Sequence, residues 1–170
     1  MPPALRKLML LAHVTTSVAW PGAVAAFLAL ALTGLNSPDA QKVRAAYQAM
    51  LPIIWYIIMP LAFTSLSTGL ALSLRTKWGL FRYYWVLAKL LINSLSIPIL
   101  LLHTQVIRTV AVAAAAGILS SADLHDQRGQ LVTISIVALL ALLGATTLSI
   151  YKPRGLTSYG WRKQQREITS

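Results

Sequence analysis

The sequence contains no cysteine, which excludes disulfides, thiolate metal sites and cysteine nucleophiles. Acids are almost as scarce: four Asp and Glu stand against fifteen Lys and Arg in 170 residues. No acid falls inside any long apolar run, so no paired carboxylates are available there for acid–base chemistry. Walker, GxGxxG and HExxH patterns are missing, as is a recognisable serine–histidine–acid setting. An enzyme is therefore not expected.

Charged residues make up 11% of the chain and hydrophobic ones 56%, with a mean hydropathy of +0.65. A soluble domain carries about a quarter charged residues. The expected class is an all-α integral membrane protein, a single four-helix transmembrane domain over residues 1–151 with a basic tail over 152–170. The spacing predicts spans over about 8–35, 51–74, 85–118 and 131–151. The first run follows Arg6 and Lys7 but is 28 residues long, against about 7–15 for a signal-peptide core. It is read as a retained helix. Pro21 and Pro60 should kink their helices, and Pro52 should sit in the first turn of the second. Lys42 and Arg44 fall in a short polar link, Ser120 to Gly129 reads as a polar loop, and the tail is expected to be poorly ordered.

Orientation follows from the cations. With four spans, Arg6, Lys7, Arg75, Lys77, Arg82, Lys89, Lys152, Arg154, Arg162, Lys163 and Arg166 share one side. Only Lys42, Arg44, Arg108 and Arg128 fall on the other. The positive-inside rule then gives an N-in/C-in topology in the inner (plasma) membrane, with both termini cytoplasmic. The net charge of +11 is read as affinity for anionic head groups and not for nucleic acid, because the cations flank apolar runs. A partner membrane protein or a second copy of the chain is a further expected contact.

The candidate site is a polar stripe in the third span. At about 100° per residue, Trp85, Lys89, Asn93, Ser96 and His103 fall within roughly 80° of one another. Ionisable groups inside a membrane usually face a bundle interior or a cavity. In the first span His13 and Trp20 are seven residues apart and share a face. Two histidines on different helices can ligate one haem b from opposite faces. The candidate cofactor set is therefore His13, His103, Lys89, Trp20, Asn93 and Arg108, with Lys89 or Arg108 facing the propionates and His13 and His103 as metal ligands. This works only if the third span enters the bilayer near Ser94. If it enters near Arg82, His103 lies too deep to share a haem with His13, and both registers stay open. Asp123-Leu-His125-Asp126 is a weak divalent-metal pattern, and Met50 and Met59 are soft copper ligands or packing residues.

His13-x6-Trp20-Pro-Gly22, preceded by Met9-Leu-Leu-Ala, resembles the first-helix pattern of copper-resistance D-like membrane proteins. Trp78-Gly-Leu-Phe-Arg-Tyr-Tyr-Trp85-Val-Leu-Ala-Lys89, with Leu-Leu-Leu-His103-Thr beyond it, is similar to a family of small uncharacterised integral membrane proteins. The resemblance covers about half the chain, helices one and three. It implies a four-helix bundle and, for the copper relatives, passage of copper across the membrane. Three readings stand: a haem- or metal-binding electron-transfer subunit, a copper passage, or a structural subunit that docks on a partner with no cofactor.

Overall fold

The computed structural model describes residues 2–75, 79–118, 122–153 and 155–169. The expected all-α four-helix bundle is what the chain forms. Among the described residues four helical segments are long and apolar enough to cross a membrane: Pro3–Asn36, Ala40–Arg75, Tyr84–Ala116 and Leu124–Tyr151. The elements are α1 (Pro3–Asn36), α2 (Ala40–Ile53), a π-helical turn (Ile54–Ile58), α3 (Met59–Leu74), α4 (Tyr84–Ala116), α5 (Ala122–Tyr151) and α6 (Ser158–Thr169). α1 packs against α2, α3 and α5, while α4 packs against α2, α3 and α5. The spans thus form a ring in which α1 and α4 are diagonal, so residues on both can face one interior.

Several boundaries differ from those the sequence predicts. The polar link before the second span is helical from Ala40, because the Asp39 side chain accepts from the backbone N–H groups of Gln41 and Lys42 and caps α2. Pro52 consequently lies inside a helix and not in a first turn. Between Pro52 and Pro60 the chain widens into the π turn, with the Met59 N–H donating to the Ile54 carbonyl. Such turns absorb the hydrogen bonds that nearby prolines interrupt. α1 continues through Pro21.

The predicted polar loop is helical from Ala122 onward, so the fourth span starts well before Leu131. The tail, expected to be poorly ordered, carries α6. Lys77, Trp78, Ser120, Ser121 and Arg154 lie outside the described residues, and so does the side chain of Asp123.

Packing is uneven along the bundle. The buried residues of α1 run from Trp20 to Gly34, and none precedes Trp20. In α3 they are Met59, Ala62 and Ser65, all in the first half. The core joins Phe27, Ala31, Tyr47, Met50, Ile54 and Ile107 among others. Met50 and Met59 are both buried there, which fits packing.

At this closed end two arginines cap helix C-termini, where carbonyls lack partners and the dipole favours cations. Arg128 Nη2 donates to the carbonyls of Gly34 (2.6 Å) and Leu35 (3.1 Å), and its Nε donates to the Tyr47 hydroxyl (2.9 Å). The Arg128 guanidinium also lies over the Tyr47 ring, 5.8 Å from the centroid. Arg44 Nε donates to the Ala114 carbonyl (3.1 Å) near the end of α4. Gly34 is required here, since a Cβ would sit 2.5 Å from Tyr47 Cζ.

A basic cavity at the open end

Where the apolar core stops, a cavity of about 590 Å³ opens between the helices. It takes four basic side chains from three parts of the fold: Arg6 and His13 from α1, Lys89 from α4, and Lys152 just beyond α5. Among the described residues no Asp or Glu lines it. Its walls alternate leucines with Ser17, Ser73, Asn93 and Thr146.

His13 is fixed against α3. Its Nδ1 lies 3.1 Å from both the Ser65 carbonyl and Thr68 Oγ1. A carbonyl only accepts, so Nδ1 carries the proton. The Thr68 hydroxyl donates to the Thr64 carbonyl (2.6 Å) and offers a lone pair to the same N–H. Nε2 is thereby left for another partner. Ser17 Oγ meets Ser65 Oγ at 2.9 Å and extends the polar seam between α1 and α3. Gly69 makes room for the imidazole, because a Cβ there would sit 2.9 Å from His13 Cε1.

Lys89 Nζ donates to Ser149 Oγ on α5, and that hydroxyl in turn donates to the Ala145 carbonyl (3.1 Å). A neutral hydroxyl satisfies one of three ammonium donors and none of the charge. Asn93, one turn deeper on α4, lines the same cavity, and its amide makes no protein hydrogen bond among the described residues. Leu10, Val14 and Val18 line the cavity while remaining 52%, 52% and 60% exposed. The cavity is therefore open sideways, beside the outer face of α1.

The stripe read from the sequence faces inward. Lys89, Asn93, Ser96 and His103 are all half-buried, whereas Leu91 and Ile99 are 64% and 46% exposed. The fold divides the stripe between two cavities. His13, Lys89 and Asn93 share the large one. Trp20, Ser96 and His103 line a second, largely apolar cavity of about 250 Å³ deeper in the bundle.

The two histidines predicted to act together are thus not brought together. The reason is the register of α4: it begins at Tyr84, which sets Lys89 level with His13 and takes His103 about 21 Å further along. His103 Nδ1 donates to the Ile99 carbonyl of its own helix (2.7 Å). Arg108 is exposed and lines neither cavity. His125 and Asp126 are exposed on α5. Among the described residues no three His, Cys, Asp or Glu side chains converge as a metal site would require. Arg6, Ser149 and Lys152 were absent from the predicted set. Arg6 lies seven residues before His13 and shares its face, a signal legible beforehand, whereas the partnership with α5 depends on helix order.

The chain matches no family model, no curated protein and no solved structure.

Proposed function

We propose that this small integral membrane protein is a non-enzymatic binding protein for an anionic amphiphile, with its acidic head group in the His13–Lys89 cavity. The observation that carries this reading is a lysine within a membrane-spanning helix, facing a cavity with three further basic side chains and, among the described residues, no acid. Holding the half-buried Lys89 ammonium within a span is costly unless an opposite charge joins it. An acidic head group supplies that charge. Lys89 then acts as its counter-ion, His13 Nε2 and the Asn93 amide orient it, and the leucine walls and lateral opening take its chain. The excess of Lys and Arg near this end supports, by the positive-inside rule, a topology with both termini and the cavity mouth on the cytoplasmic side of the plasma membrane.

The test is thermal unfolding of the detergent-purified protein with lauric acid, dodecyl phosphate or dodecanol. A ligand that binds only the folded state at about a hundred times its Kd stabilises it by about 2.7 kcal/mol. The two anions should raise Tm, whereas dodecanol, with the same chain and no charge, should not. An equal rise with all three would leave only an apolar groove and defeat the reading.

A further inference from the structure

α6 follows a short segment bound back onto the start of α4. The Tyr84 N–H donates to the Gly155 carbonyl (3.2 Å), and the Thr157 N–H donates to the Arg82 carbonyl (3.0 Å). The Thr157 hydroxyl donates to the Phe81 carbonyl (2.5 Å) and accepts from the Gly160 N–H (3.0 Å). One side chain therefore caps α6 and anchors it. Gly160 is buried against the Arg82 carbonyl, where a Cβ would collide with the oxygen. The helix is held at the cavity end of the bundle by backbone and cap contacts, and the cavity-lining residues Leu80, Trp85 and Lys152 flank its attachment.

This attachment fixes which way α6 faces. At about 100° per residue, Tyr159, Arg162, Lys163 and Arg166 fall within an arc of roughly 100°. Gly160 and Gln164 lie on the other side, buried and half-buried toward the bundle. Tyr159 is 59% exposed in the middle of the basic arc, and Arg162 and Lys163 are exposed beside it. Phe81 and Tyr84, also exposed, sit at the adjoining start of α4. Aromatic and basic side chains together at a span terminus are the composition of a membrane–water boundary.

We infer that α6 is an interfacial helix whose Tyr159–Arg162–Lys163 face rests on the anionic head groups of the leaflet at the open end of the bundle. Each basic side chain near an anionic surface strengthens the contact about fivefold. The inference concerns the outside of α6 and does not depend on what the cavity holds.

Because the chain has no cysteine, Tyr159→Cys accepts a single environment-sensitive fluorophore on the full-length protein. The labelled protein would be reconstituted in vesicles of phosphatidylcholine, or of equal parts phosphatidylcholine and phosphatidylglycerol. The expected result is blue-shifted emission, quenched by brominated acyl chains, in the mixed vesicles only. Adding Arg162→Gln and Lys163→Gln should lower the docked-to-free ratio by about tenfold or more. Both substitutions are at exposed positions, so folding is retained. Water-exposed emission in both lipids would overturn the inference, as would an equal blue shift in both.

Discussion

The two ends of the bundle use the same residue types to opposite effect. At the closed end Arg44 and Arg128 cross between helices and donate to carbonyls at the C-termini of α4 and α1. Their charge meets the negative end of a helix dipole, and a continuous apolar core lies beside them. At the open end Lys89 donates to the Ser149 hydroxyl, and Arg6, His13 and Lys152 line the same space, which among the described residues has no acid and no fully packed core. Cations that complete helix termini stabilise the fold. A span lysine paired with a neutral hydroxyl leaves charge for a ligand to complement.

Substitution should separate the two ends. The largest expected effect on stability is at Arg128. Arg128→Leu removes donors to two carbonyls and the Tyr47 hydroxyl, a loss of about 3 kcal/mol, and should lower Tm without altering the response to laurate. Gly34→Ala should act in the same direction by displacing the Tyr47 ring.

Lys89→Met should do the reverse. Affinity for an anionic amphiphile should fall at least about tenfold by titration, while the unliganded protein keeps or gains stability, since a charge leaves the membrane. Gly69→Ala pushes on the His13 ring and should cost about 1 kcal/mol, with a several-fold loss of affinity. Arg44→Leu removes a single hydrogen bond to Ala114 and should cost about 1 kcal/mol or less. If Lys89→Met destabilises as much as Arg128→Leu, the contrast between the ends is lost.

The same contrast separates what could be read from the sequence and what could not. The four spans were legible because hydropathy over about 20 residues reflects the solvent and needs no knowledge of neighbours. The inward stripe was legible because Lys89, Asn93, Ser96 and His103 repeat with the helical period. The closed end was not. Polarity from Ser120 to Gly129 reads as loop, yet Arg128 is polar because it caps another helix, and Tyr47 and Gly34 show no pairing until the helices are assembled. Asp39 preceding a helix-compatible stretch was an available sign that α2 begins early. The joint role given to His13 and His103 depended on the depth of α4, and periodicity fixes angle but not depth. Pairing Lys89 with α5 likewise required the order of helices in the ring.

The central claim is that the open-end cavity is built for an acidic head group. It is tested most directly by native mass spectrometry of the protein purified in mild detergent from its own membrane, beside Lys89→Met prepared identically. The account predicts a bound acidic amphiphile on the unmodified chain and its loss, or at least about a tenfold reduction, in Lys89→Met. An unmodified chain that carries no acidic species, or one carried equally by Lys89→Met, would contradict it.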